Sequence, residues 1–272
     1  MKISALKNQI FLKKSFLCIG LDVDLDKVPS SVKAMEDPLF EFSKAIIDST
    51  AAYAVAYKPN IAFFETYGSQ GMASLKRVMD YLNKNYPEIF TIADAKRGDI
   101  GDTAALYARE AFERYQADAV TVNPYLGTDS LMPFLQTAGK GTIVLCRTSN
   151  SGSGEFQSKM VNGTSLYKHV AIAAASKWRD IGDTALVMGA TYPQELAEVR
   201  GIVGDMPFLV PGIGAQGGAI VSAVRAGRND EGTGLIINSS RAVLYASRGE
   251  DFAQASRAVA IDTRDAIRAA NN

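Results

Sequence analysis

Short apolar runs closed by turn-forming or charged residues recur along this 272-residue chain about every 31 residues, the size of one strand–helix–strand unit. Eight can be drawn, over 16–23, 52–58, 89–96, 119–124, 141–147, 184–189, 207–210 and 234–238. Most are continuous rather than alternating, which implies strands covered on both faces and therefore a parallel sheet. Between them lie segments of helical period, over 69–85, 103–115, 166–178 and 193–203. In the stretch 103–115, Leu106, Ala108, Ala111, Phe112 and Tyr115 fall near one stripe, with Asp102 placed to cap the first turn. Eight such units close into a (β/α)8 TIM barrel, an α/β fold that typically needs about 250 residues, so residues 1–272 are expected to form a single domain. A doubly wound open sheet would announce itself by a glycine-rich turn after the first strand; here that strand ends in Gly20-Leu21-Asp22-Val23-Asp24.

Composition narrows the partners. The 29 basic side chains cancel the 29 acidic ones, and no basic run is long enough to gather nucleic acid or anionic lipid, so neither is expected as a partner. Cys18 and Cys146 sit in apolar runs, with the spacing of neither a metal knuckle nor a redox pair, which suits a reducing cytoplasm. Lys7, Lys13 and Lys14 interrupt the apolar residues near the start, leaving no signal-peptide core and no spanning helix. The stretch 148–164, rich in Ser, Gly and Asn, reads as a long loop, either a lid or a tolerated insertion.

In such a barrel the chemistry sits where strands end at their C-terminal side. The polar groups there are Asp22, Lys58, Asp94 with Lys96, Asn123, then Arg147, Thr148 and Ser149; the seventh run leads into a glycine-rich turn, 211–218, and the eighth into Ser239, Ser240 and Arg241. Asp94 and Lys96, two apart, share a strand face, and Gly98 frees the chain to bring Asp99 back. With Lys58 from the neighbouring strand, charges can alternate Lys-Asp-Lys-Asp, each ammonium held protonated between carboxylates. A solvated salt-bridge cluster is the plain alternative. Gly212, Gly214, Gly217 and Gly218 let backbone N–H groups approach a ligand, and Arg241 at the start of a short helix, 242–246, offers a planar fork for phosphate oxygens; ordinary turns and a surface cation would look the same. Asp22 could be a turn cap, Asn123 before Pro124 a turn former, and Gln216 a solvent-facing side chain. The single histidine, His169, falls inside a helical segment and is read as structural; neither a metal site nor a Ser-His-Asp hydrolase is indicated.

Jointly, Asp-x-Lys-x-x-Asp at 94–99, Lys58, Asp22, Pro-Gly-Ile-Gly-Ala-Gln at 211–216 and Ser-Arg at 240–241 resemble the orotidine 5'-phosphate decarboxylase family over essentially the whole chain. Val-Asn-Pro-Tyr-Leu-Gly at 122–127 and Cys-Arg-Thr-Ser-Asn at 146–150 look like its bacterial subgroup with chains of this size. The resemblance implies a cofactor-free enzyme that makes UMP and carbon dioxide, with Lys96 protonating C6 of the pyrimidine and Asp94 beside the departing carboxylate. It implies that Lys58 and Asp22 hold ribose hydroxyls, that Ser149 or Thr148 meets the base edge, and that Gln216, Arg241 and neighbouring backbone N–H groups, with Gly214, Ser240 and Asn123 in the substrate-binding set, complete the grip on the nucleotide. It implies a homodimer in which Asp99 and Thr103 reach into the partner's site. The loop after Gln216 is short and lacks the tyrosine that some members carry there. A magnesium-using phosphosugar barrel, such as a keto-gulonate phosphate decarboxylase or a hexulose phosphate synthase, is the nearest rival, and a silent phosphate-binding barrel is the rival of another class.

Overall fold

The computed structural model describes residues 3–212 and 217–272. Eight parallel strands close into a barrel, each hydrogen-bonded to its sequence neighbours: β1 (Leu17–Leu21), β2 (Ala56–Pro59), β3 (Phe90–Arg97), β4 (Ala119–Val122), β5 (Gly141–Arg147), β6 (Asp183–Met188), β7 (Phe208–Val210) and β8 (Leu235–Ser239), which returns to β1. β1, β2, β4, β7 and β8 are buried along their whole length, as continuous apolar runs packed inside against other strands and outside against helices require. The helix Ile3–Lys13 lies across the N-terminal mouth, where Ile3 packs so closely on Gly141 at the start of β5 that a Cβ there would sit 2.6 Å from its side chain. That end is closed, and the strands' C-terminal ends form the open mouth.

Several boundaries differ from the reading of the sequence. The second run begins later, because 51–53 are turns that finish the helix Pro38–Thr50, with Tyr53 and Ala54 N–H groups both donating to Thr50 O. The helix expected over 103–115 starts at Gly101 with Ile100 in the cap position, so Asp102 lies inside the first turn and does not cap it. Its second half, Glu110–Arg114, is a π-helical turn; Ala108, Ala111, Phe112 and Tyr115 are buried as expected, but Leu106 is 60% exposed. The stretch 148–164 is not an open loop. It folds into a turn of 3-10 helix (Ser151–Ser153), a short helix (Gly154–Gln157) and a two-residue hairpin, Met160–Val161 against Thr164–Ser165. His169 lies in the helix Leu166–Ala173, with Nε2 3.0 Å from Val161 O.

Candidate active site

The site is built around Asp94, buried in β3 at 7% exposure. One carboxylate oxygen, Oδ2, accepts from Lys58 Nζ at 2.7 Å; the other, Oδ1, accepts from Lys96 Nζ at 2.6 Å and from Thr121 Oγ1 at 2.9 Å. Lys58 reaches it from β2, where Pro59 holds the backbone extended, and is 4% exposed. Burial alone would lower the Lys58 pKa, but the Asp94 and Asp22 carboxylates overcome it and raise it. Burial would likewise raise the Asp94 pKa, and the Lys58 and Lys96 ammoniums bring it down to about 2. Lys58 and Asp94 are therefore both charged over the whole physiological range and fixed inside a poorly solvated wall.

Lys96 differs from Lys58 in two ways. Its side chain is 49% exposed, so the ammonium is tethered to Asp94 on one side and open to the mouth on the other. Its backbone has φ +48, a left-handed conformation that costs an ordinary L-residue ~1–2 kcal/mol. Strain of this kind gathers where a side chain must be aimed against the local preference of the chain.

Asp22 extends the array from β1. Its Oδ2 accepts from Ser240 Oγ at 2.6 Å, while Oδ1 is buried with no partner among the described residues. Gly20 makes this approach possible, since a Cβ there would lie 2.9 Å from Ser240 Cβ and 3.1 Å from Asn238 Oδ1. Tyr245 OH fixes the same corner by donating to Asp22 O and accepting from Asp24 N, both at 2.8 Å. Beneath the array the Cys18 thiol points at Asn238 Oδ1 at 3.6 Å, and burial pushes its pKa up to about 12, so it lines the barrel as a neutral group.

The remaining candidates are placed as follows. Ser149 is half-buried, packed on Gly189 and beside Gly212, where β6 and β7 end; a Cβ on Gly189 would lie 2.9 Å from Ser149 N. Thr148 turns instead to Gln157, which accepts from Thr148 N at 2.9 Å and donates to its hydroxyl at 2.8 Å. Arg147, counted among the strand-end groups, is directed into the helix layer: it is 3% exposed, forks onto Glu195, bonds Ser153 and lies 4.2 Å from the Tyr192 ring centroid. Asn123 is exposed at the end of β4, its side-chain oxygen accepting from Tyr125 N at 3.0 Å, which is the turn-forming role. Arg241 is exposed at the start of the helix Arg241–Leu244. Gly214 and Gln216 lie outside the described residues.

Asp99 does not complete the array within its own chain. Its Oδ1 accepts from Ile100 N at 2.8 Å, and among the described residues its carboxylate makes no ion pair with Lys96 or Lys58. Thr103 is exposed. Conversely, Thr121 and Tyr245 belong to the site and were not singled out from the sequence. For Thr121 a signal existed, since it stands two residues before Asn123 and so shares its strand face.

A model of the family described as "Orotidine 5'-phosphate decarboxylase / HUMPS family" matches residues 15–257. The orotidine 5'-phosphate decarboxylase of Cellvibrio japonicus (strain Ueda107) is 54% identical over 270 residues, covering 98% of each chain. That of Janthinobacterium sp. (strain Marseille) is 56% identical over 255 residues, 94% of this chain and 93% of the relative. Among solved structures, the Leishmania donovani OMP decarboxylase superposes with a TM-score of 0.85 at 39% identity, covering 100% of this chain and 99% of that one. A closed eight-stranded barrel with charged Lys58, Asp94 and Lys96 at its open mouth, matched along nearly its full length by such relatives, belongs to the orotidine 5'-phosphate decarboxylase family.

Proposed function

We infer that this chain decarboxylates orotidine 5'-phosphate to UMP and carbon dioxide, with Lys96 as the proton donor. The observation that carries the assignment of Lys96 is the tether of its half-exposed ammonium to a carboxylate that is itself pinned by Lys58. When the bond from C6 to the carboxylate breaks, its electron pair stays in the plane of the ring, where the π-system cannot delocalise it. A fixed cation next to C6 is then the available stabiliser. In a site from which water is excluded it acts far more strongly than in solution, each ~1.4 kcal/mol of differential stabilisation being tenfold in rate. The new C6–H bond takes its proton from Lys96 Nζ, and the neutral amine regains one from water. Asp94 lies beside the leaving carboxylate and keeps the ammonium from swinging away.

The rest of the ligand is assigned around this centre. Asp22, with an oxygen that has no partner among the described residues, and Lys58 take ribose hydroxyls. Ser149, not Thr148, meets the base edge, because Thr148 is already engaged by Gln157. Arg241 and Ser240, with Gly214 and Gln216, take the phosphate, so that binding remote from the reacting carbon helps to close the mouth. The active form is a homodimer in which Asp99 and Thr103 serve the partner's site; the exposed Ile100, Leu106, Tyr125 and Leu126 around them supply the apolar surface that such an interface covers. We take the chain as one domain that works in the cytoplasm without cofactor; no helix of the described residues is long and apolar enough to cross a membrane.

The test is carbon dioxide release from orotidine 5'-phosphate before and after exhaustive chelation. Release that survives chelation, and is lost in Lys96→Ala while the variant still binds UMP, is the expected result. Absence of release with UMP still bound would make the chain a silent phosphate-binding barrel, and loss on chelation that magnesium restores would transfer it to the phosphosugar branch; substantial turnover by Lys96→Ala would remove Lys96 from the chemistry.

A further inference from the structure

We propose that Thr121 is the positioning residue that sets the aim of Lys96. Its hydroxyl carries two bonds of fixed direction. It accepts from the Lys96 backbone N–H at 2.9 Å and gives its one proton to Asp94 Oδ1 at 2.9 Å, the same oxygen that holds the Lys96 ammonium. Thr121 therefore touches the two ends of the Lys96 residue, its backbone directly and its side-chain charge through Asp94.

The need for such a joint follows from the register of the sheet. Between the pairs Ala93 with Val120 and Arg97 with Val122, β3 advances four residues (93 to 97) while β4 advances two (120 to 122). The surplus on β3 is a bulge, and Lys96 stands in it with φ +48. A bulge removes regular ladder partners from the residues inside it, so a side chain must take up the freed N–H. Thr121 sits on the short strand opposite the bulge and is 1% exposed, out of reach of competing water. Valine would fit the same volume and the same strand geometry, so packing alone does not call for a hydroxyl there. The polar atom is explained by the bulge and by Asp94.

Without that hydroxyl, the Lys96 amide is left unpaired and Asp94 Oδ1 keeps only one donor, so both the turn and the carboxylate relax. The ammonium then samples positions away from C6 while contacts to phosphate and ribose stay in place. This inference rests on the assignment of Lys96 as proton donor, and the experiment separates the two.

Steady-state decarboxylation is measured for wild type, Lys96→Ala, Thr121→Val and Thr121→Ser, with thermal unfolding of each. Thr121→Val is expected to lower kcat roughly 10- to 100-fold, the worth of a hydrogen bond to a charged group, with KM little changed. Thr121→Ser, which keeps the hydroxyl, returns most of the rate, and the crystal structure of Thr121→Val shows Lys96 with its left-handed φ lost or its Nζ displaced from Asp94. Should valine not fold, Thr121→Ala against Thr121→Ser carries the same comparison. A hydroxyl-free variant with wild-type kcat, or a serine variant that falls as far as valine, overturns the inference even though Lys96→Ala is inactive. Turnover by Lys96→Ala overturns the reading beneath it instead.

Discussion

At the scale of residues, the pair Lys58–Asp94 is a folding problem before it is a catalytic device. Two charges taken almost wholly out of water lose hydration that only a close, well-formed contact restores, and removing one partner strands the other at a cost of ~3–5 kcal/mol. The acid dependence of stability follows from Asp94. Its folded pKa of about 2 lies below the ordinary value near 3.9, so the unfolded chain binds the proton more readily. The contribution, ~2–3 kcal/mol, is complete above about pH 4 and is lost as pH falls toward 2. The raised Lys58 pKa describes the same contact from the other side and adds nothing further below the lysine range. Urea unfolding between pH 5 and 2.5 checks this: wild type weakens steeply through the window, and Asp94→Asn starts less stable but has a shallower slope. An Asp94→Asn slope equal to wild type would remove Asp94 as the source. The reading of 94–99 as alternating charges caught Asp94, Lys96 and Lys58, because a two-residue strand period puts the first two together. It missed Thr121, whose role depends on a bulge between two strands, and the pairing of strands 25 residues apart is not written in either segment alone.

Among elements, the connection after β5 shows what composition can and cannot tell. Ser, Gly and Asn make 148–164 read as a long loop, lid or tolerated insertion, yet its first half is tied down by a single buried cation. Arg147 forks onto Glu195 of the helix Pro193–Val203, bonds Ser153, and shares Gln157 with Thr148, so the turn bearing Ser149 is braced against the barrel wall. Small polar residues here make side-chain and turn hydrogen bonds, which hydropathy reads as exposure. Glu195→Ala should leave Arg147 buried and unpaired and release this brace. The expected outcome is new cleavage within 150–165 under limited proteolysis and a raised KM for orotidine 5'-phosphate; a variant as resistant as wild type would show that Ser153 and Gln157 hold the turn without the ion pair. Where one feature dominates, the elements are legible to the residue: 141–147 as an unbroken apolar run before Arg147, 193–203 as a helix opened by Pro193 and closed by Gly204. They drift where two signals compete, as at 51–55, where alanines prolong a helix end that an apolar run had claimed for a strand.

For the molecule as a whole, Asp94 is the one carboxylate that pairs with Lys96 among the described residues of its own chain. Asp99 accepts from its neighbour's N–H, Thr103 is exposed, and the surface that carries them shows Ile100 at 58%, Leu106 at 60% and Tyr125 at 83% exposure. Apolar side chains left exposed in the segments that follow adjacent strands β3 and β4 are a costly surface for a free monomer and an ordinary one for a two-fold interface. The sequence carries both halves of this arrangement, but it shows them as one motif, and nothing in a single strand tells whether its last aspartate turns inward or crosses to a second copy. If Asp99 acts across the interface, Lys96→Ala and Asp99→Ala are inactive for opposite reasons. In a mixed dimer, one site pairs the intact Lys96 of the second variant with the intact Asp99 of the first, and the other site lacks both. Equal mixing gives half mixed dimers with one live site each, so activity should rise to about a quarter of wild type from two inactive stocks. If Asp99 serves its own chain, every site in every dimer lacks one of the two residues and the mixture stays inactive. Mass spectrometry of the intact dimers fixes the mixed fraction, so a silent mixture with that fraction near half rules out the shared site.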